Sequence, residues 1–256
     1  MTAGAASQDC ILATPEELAE RVADWILARA RGAEGRFAVC LSGGSTPKRL
    51  YERLAAPALA AAFPWQRTHW FWGDERFVPH DDPQSNFRMA REALLGHAPV
   101  PPENIHPIPT ERMSPAASAA AYEAELKRFY GADILASRRP LFDLTLLGLG
   151  DNGHIASLCP GSTALAETTR WVVPVVGEAS PDRITLTYPA LEASRATAFL
   201  ITGARKRDVL ARVRAGDRAL PATRLRPAGE VLWFTDRAAS LGLRSSPPAG
   251  ERVARK

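Results

Sequence analysis

The chain has 256 residues, 46% of them apolar, and a formal net charge of +4. This is enough for one large α/β domain or two small ones, and no long polar linker divides it. Basic and acidic residues are interleaved through most of its length, which argues against a nucleic-acid partner and leaves an anionic small molecule as a sufficient account of the excess.

The opening MTAGAASQDC lacks a charged segment followed by an apolar one, and no run reaches about 18 consecutive apolar residues. A cytoplasmic protein with no membrane partner is expected. Thr14-Pro15-Glu16-Glu17 reads as a capping box with proline in the first turn, and Leu18, Val22, Trp25, Ile26 and Arg29 continue at helical spacing to about Ala30. Phe37-Ala38-Val39-Cys40-Leu41 is a buried strand running into Ser42-Gly43-Gly44-Ser45-Thr46-Pro47, after which Leu50 and Leu54 share a helix face. Two readings of that junction stay open on residue chemistry alone. Free backbone N–H groups and the helix dipole at Gly43, Gly44, Ser45 and Thr46 suit a phosphate; equally, Ser and Thr are ordinary helix caps. The pattern of a nucleotide P-loop is absent.

Thr68–Trp72 is a second strand, ending in Gly73-Asp74-Glu75-Arg76. Three charges in succession suit a solvated loop as well as a site. Ser85-Asn86 follows, with Asn86 placed to cap a helix from Phe87 to Leu95. Residues 96–114 are proline-rich without apolar period and read as a surface excursion, with His97 and His106 exposed and no acid or cysteine at metal spacing. A helix from Ser114-Pro115 through Tyr130 leads to an apolar strand around Leu141–Leu147.

That strand stops at Gly148-Leu149-Gly150-Asp151-Asn152-Gly153-His154. The glycines fit G-x-G-x-x-G, but a dinucleotide site needs a sustained helix after the turn, and Pro160-Gly161 allow only a short one. A lone histidine is commonly a helix cap or a satisfied core residue. The glycines around His154, just past the carboxyl end of a strand, favour a site instead. Cys159 lies beside it, without a base partner or metal-type spacing, and three cysteines in all argue against a disulfide framework.

Trp171–Val176 and Arg183–Thr187 are further strands, the first carrying Pro174, which suits an edge or bulge. Ala198–Ile201 precedes Thr202-Gly203-Ala204 and a helix that begins near Lys206. Only four of the 32 basic residues are lysines, so Lys206 stands out as a compact charge at a helix start. Glu230–Asp236 is a last strand, followed by a short helix from Arg237. Strands alternating with helices predict an α/β fold, a mostly parallel sheet with helices on both faces. We read residues 1–244 as a single domain and 245–256 as a disordered basic tail.

These motifs, taken together, resemble the 6-phosphogluconolactonases, relatives of the glucosamine-6-phosphate deaminases. The resemblance rests on Gly43-Gly44-Ser45-Thr46-Pro47, on Gly73-Asp74-Glu75-Arg76 with Ser85-Asn86, on Gly148 to Leu158 with Pro160-Gly161, on Arg183-Ile184-Thr185-Leu186-Thr187, and on Thr202-Gly203 with Lys206, and it covers roughly residues 12–240. It implies a modified Rossmann-like fold and hydrolysis of 6-phospho-D-glucono-1,5-lactone without a cofactor or metal, by a monomer or weak oligomer. His154 is then the general base, with Asp151 and Asn152 beside it. Gly43, Gly44, Ser45, Thr46, Asp74, Arg76, Asn86, Arg183 and Lys206 are the implied substrate contacts. One departure stands out: the family usually has Asp where this chain has Asn152, which keeps a hydrogen bond but not the charge. Asp151 is the nearest residue that could compensate. Two other activities are weighed against this one. Asn152 suggests a non-catalytic sugar-phosphate sensor, and the wider superfamily suggests a deaminase, although Ser157-Leu158-Cys159 stands where the deaminase pattern carries an acid.

Overall fold

A computed structural model describes residues 7–242. In chain order the first half forms β1 (Ser7–Leu12), α1 (Pro15–Gly32), β2 (Phe37–Leu41), α2 (Ser45–Leu54), α3 (Pro57–Ala62), β3 (Thr68–Trp72), β4 (Asp74–Arg76), α4 (Asn86–Ala93) and α5 (Pro115–Tyr130). The second half forms β5 (Leu144–Leu147), β6 (Val172–Val175), β7 (Arg183–Leu186), α6 (Tyr188–Glu192), β8 (Ala196–Ile201), α7 (Arg207–Arg214), α8 (Pro221–Arg224), β9 (Glu230–Asp236) and α9 (Arg237–Ser240).

Six strands make one parallel sheet in the order β1-β9-β8-β5-β2-β3. Every residue of β2, β5 and β8 is buried, as a parallel sheet covered on both faces requires. A smaller antiparallel sheet, β4-β7-β6, lies after it. Pro174 belongs to β6, an outer strand of that sheet, where its missing N–H costs no ladder bond. One hydrophobic cluster runs from Leu18 to Ala239. Among the described residues no helix is long and apolar enough to cross a membrane.

One strand is new to the sequence reading, and three expectations need correction. Residues 7–12 carry no signal of a strand, yet they form β1, an outer strand with a mostly exposed or half-exposed surface; its register with β9 fixes it, not its own apolar pattern. The apolar run before the glycines becomes a strand only at Leu144, while Phe142 makes an isolated bridge to Ser194. Helix α4 is capped by Ser85, whose Oγ accepts from Arg88 N at 3.1 Å, so Asn86 is its first residue and its side chain is free for other work. His97 is exposed, but the side chain of His106 is only 11% exposed. Its Nδ1 pairs with Glu125 Oε1 at 2.8 Å, and its ring stacks on Phe71 at 4.3 Å. Those partners are distant in sequence, so no local period betrays the burial. The tail expected at 245–256 lies outside the described residues.

Candidate active site at the carboxyl ends of the strands

Strands β2, β3, β5 and β8 each end in one of the motif loops, and β5, β2 and β3 are neighbours in the sheet. Such a rim is where open α/β sheets bind ligands. Two buried tyrosines set the loops. Tyr51 on α2 accepts from Ser42 N at 3.0 Å and donates to Ser42 O at 2.8 Å. Tyr122 on α5 does the same for Trp72, at 2.8 and 3.1 Å. Both strand exits are therefore fixed by a side chain that satisfies a donor and an acceptor at once.

The loops enclose a cavity of about 340 Å³. Gly43, Gly44, Ser45 and Thr46 form one side of it. Gly44 takes φ 104°, a conformation that residues with a Cβ resist, and it is the N-cap of α2 with no side-chain hydrogen bond to the helix. The ordinary Ser/Thr cap that the sequence left open does not form. Thr46 instead shares a 2.7 Å hydrogen bond with Thr202 Oγ1. The first N–H groups of α2 therefore face the cavity without a capping side chain.

The charged motif after β3 is only partly a surface loop. Glu75 is 1% exposed. Its carboxylate accepts from the backbone N–H of Arg76, Asn86 and Phe87, each at 2.7 Å, and from Ser85 Oγ at 3.1 Å. This explains the spacing between Glu75 and Ser85-Asn86: the acid is the anion at the amino end of α4. Burial pushes the Glu75 carboxyl above its usual range, against the hydrogen bonds that lower it. Asn86, released from capping, donates from Nδ2 to Asp74 O at 3.0 Å and reaches the cavity wall. A Cβ on Gly43 would stand 2.1 Å from Asn86 Oδ1, so glycine is needed there for close approach. Asp74 also lines the cavity and accepts from Ser157 Oγ at 2.7 Å. Arg76 lines it too, held by a bond from Nη1 to Gln84 O at 2.6 Å, and its buried Nε has no partner among the described residues.

Across the cavity, His154 follows a turn closed by Gly153 N to Gly150 O and Gly150 N to His154 O, both 2.9 Å. No helix follows it before the short turn at Thr163–Ala166, so the dinucleotide reading of the glycines fails. His154 Nδ1 is 2.6 Å from Asn152 Oδ1, and the same oxygen receives His154 N at 3.2 Å. An amide oxygen only accepts, so Nδ1 carries the hydrogen and Nε2 keeps its lone pair. Burial lowers the His154 pKa, Asp74 opposes that, Lys206 and Arg183 add to it, and Asp151 opposes it least. The imidazole is thus neutral and basic at Nε2.

Asp151 makes no bond to His154. It is paired with Lys206 Nζ and Arg205 Nη2, both at 2.6 Å, which hold its carboxyl below the usual range. Its work is to position Lys206 on the cavity wall. The negative charge nearest in effect to the imidazole is Asp74, a role the sequence reading missed. Of the expected site residues, Asn152 and Arg183 are not on the lining. Arg183 stands opposite Arg76 in the β4-β7 register, and burial followed by the Arg76 charge lowers its pKa. Ser157, Thr202 and Tyr51 complete the site, and only the positions of Ser157 and Thr202 inside the glycine motifs hinted at them. Among the described residues no group of three or more His, Cys, Asp or Glu could hold a metal ion.

Comparison with known proteins shows the family. The 6-phosphogluconolactonase of a Nostoc species is 43% identical over 239 residues, covering 91% of this chain and 97% of the relative. That of Mycobacterium tuberculosis is 37% identical over 227 residues, covering 86% and 90% respectively. Among solved structures, the 6-phosphogluconolactonase from Trypanosoma cruzi superposes with a TM-score of 0.81 at 31% identity, over 94% of this chain and 98% of the other. The family model described as glucosamine-6-phosphate isomerases/6-phosphogluconolactonase matches residues 13–233, and the chain belongs to that family.

Proposed function

We propose that this protein hydrolyses 6-phospho-D-glucono-1,5-lactone to 6-phospho-D-gluconate, the lactone-opening step of the oxidative pentose phosphate pathway. The observation that carries the reading is His154, held as the Nδ1–H tautomer by Asn152 at 2.6 Å, facing a cavity whose other side is an uncapped helix amino end. The names of the relatives support the same activity.

The phosphate occupies the Gly43–Thr46 cradle, with Lys206 and Arg76 as counter-charges and Arg183 reinforcing Arg76 from behind. Asp74 and Asn86 face the sugar hydroxyls. His154 Nε2 takes a proton from water as its oxygen attacks C1, and the tetrahedral oxyanion collapses by breaking the bond from C1 to the ring oxygen. The imidazolium then returns the proton to that oxygen. A δ-lactone is already electrophilic, so a positioned base worth about 10²- to 10⁴-fold is sufficient help. We further read residues 1–244 as one catalytic domain of a cytoplasmic enzyme, a monomer or weak oligomer without a nucleic-acid or membrane partner.

The test is formation of 6-phosphogluconate from freshly generated lactone, with spontaneous hydrolysis subtracted and glucosamine 6-phosphate run in parallel. Acceleration that falls at least 10²-fold in His154→Ala is expected. Lactone or product binding without turnover makes the protein a sensor, and ammonia release from the amino sugar makes it a deaminase.

A further inference from the structure

One residue on the wall of the cavity holds its backbone in a conformation that its side chain disfavours. Ala156 takes φ 47°. Among the described residues Arg112, at φ 59°, is the only other non-glycine residue with a positive φ, and it is exposed. Glycine is the default at such a position, because a Cβ in the left-handed region crowds the following carbonyl. The chain uses glycine in this way nearby, at Gly44, Gly153 and Gly161. At 156 it does not.

The contacts around Ala156 hold the turn, as a strained residue requires. Ala156 and Ser157 are the middle of a four-residue turn closed by Leu158 N, which donates to Ile155 O at 2.9 Å, and Ile155 and Leu158 are both buried in the core. Ser157 N donates to Thr185 Oγ1 at 3.2 Å, and Ser157 Oγ donates to Asp74 Oδ2 at 2.7 Å. Thr185 and Asp74 are register partners on β7 and β4, so Ser157 grips both strands of the small sheet. A glycine at 156 would occupy the same turn without strain and with the same hydrogen bonds around it. It would lack only the methyl group.

That methyl has a place no other side chain fills. Five apolar side chains line the cavity, and of these Pro47, Leu149, Leu200 and Ile201 are buried, whereas Ala156 is partly exposed. Ala156 stands two residues after His154 and one before the residue that holds Asp74, and all three line the same cavity or hold what lines it. A sugar ring presents C–H groups as well as hydroxyls, and the Ala156 methyl is the apolar surface open to them. Without it the ring has room to shift away from His154.

We infer that Ala156 is a specificity-determining residue of the lactone site: its methyl group is the wall against which the sugar ring seats beside His154, and the left-handed backbone is kept because it presents that methyl to the cavity. The inference rests on the function proposed above, since it takes the phosphorylated lactone as the occupant.

The experiment compares the parent protein with Ala156→Gly and Ala156→Ser by initial rates on the lactone, calorimetric titration with 6-phosphogluconate and unfolding in urea. Ala156→Gly is expected to unfold at an equal or higher urea concentration than the parent, yet to lose about tenfold in kcat/KM and to bind 6-phosphogluconate about threefold or more weakly. Stability and activity then move in opposite directions, which an alanine with a merely structural role would not produce. Ala156→Ser retains the Cβ and is expected to stay within about threefold of the parent in activity and binding. A kcat/KM for Ala156→Gly within about twofold of the parent, a lower urea midpoint for that variant, or an equal loss in Ala156→Ser each overturns the inference. A parent protein that binds 6-phosphogluconate without hydrolysing the lactone overturns the activity proposed above instead, and Ala156 is then decided by binding, where unchanged affinity in Ala156→Gly overturns its role.

Discussion

Gly150→Ala isolates the positioning of His154 from everything else in the site. Gly150 is not in the left-handed region, so its backbone accepts alanine without strain. Space is the problem. A Cβ there would lie 2.0 Å from His154 Nδ1, 2.1 Å from Cε1 and 2.6 Å from Cγ, whereas non-bonded carbon contacts settle near 3.5–4.0 Å. The imidazole must retreat by more than about 1 Å and give up its 2.6 Å bond to Asn152, and a displacement of that size costs about 10²-fold in rate. Gly148→Ala is the control, because a Cβ at that position in the same motif would meet nothing nearer than Ser42 Oγ at 4.0 Å. The assay is kcat/KM for the lactone with spontaneous hydrolysis subtracted, alongside a thermal melt to show that both variants fold. We expect about a 10²-fold loss for Gly150→Ala and less than about threefold for Gly148→Ala. A folded Gly150→Ala enzyme within threefold of the parent would refute the assignment of His154 as the positioned base.

Four further outcomes follow from the same geometry. His154 must be neutral to act, and burial lowers its pKa, so activity should persist below the pH at which a free imidazole protonates and then fall. Asn152→Asp places a negative charge on Nδ1, favours the imidazolium and must move the acidic limb of kcat/KM to higher pH; a limb that stays or moves down contradicts the assignment. Lys206→Met leaves Asp151 paired only with Arg205 and removes a cation from the cavity, so KM should rise by about tenfold or more with a smaller change in kcat, measured by initial rates. Glu75→Gln turns a donor toward backbone N–H groups that need an acceptor, and should cost about 1–3 kcal/mol, read as a lower midpoint in urea with unchanged slope.

What the sequence could reveal follows from how far each signal reaches along the chain. Strands β2, β5 and β8 were legible because burial on both faces leaves nearly continuous apolar runs, β3 by its Trp70-Phe71-Trp72 run, and the turns after them by their glycines, of which Gly43 and Gly150 leave no room for a Cβ. Strand β1 was not, since its place comes from pairing with β9 at the far end of the chain. The three-stranded sheet was hidden for a related reason: β4 is only Asp74–Arg76, too short to show alternation. Within the site, the types of residue were readable and their pairings were not. Glu75 could be a solvated charge or part of a site until its three backbone donors were seen, and Asp151 looked like a partner for His154 until it was found holding Lys206.

The substitution of asparagine beside His154, the proposed base, is best understood as a division of labour. A carboxylate at that position would both fix the tautomer and stabilise the imidazolium. Here Asn152 does the first, because its Oδ1 can only accept from Nδ1. The second falls to Asp74, the largest opposing influence on a pKa that burial lowers, held by Ser157 Oγ at 2.7 Å. Asp74 acts across the cavity rather than through a hydrogen bond to the ring, so its stabilisation of the imidazolium is weaker than a contacting carboxylate's. The balance leaves a weaker base that stays unprotonated further into acid. Hydrolysis of an electrophilic lactone tolerates that exchange, since the leaving ring oxygen needs only one returned proton and the attacking water only partial removal of one.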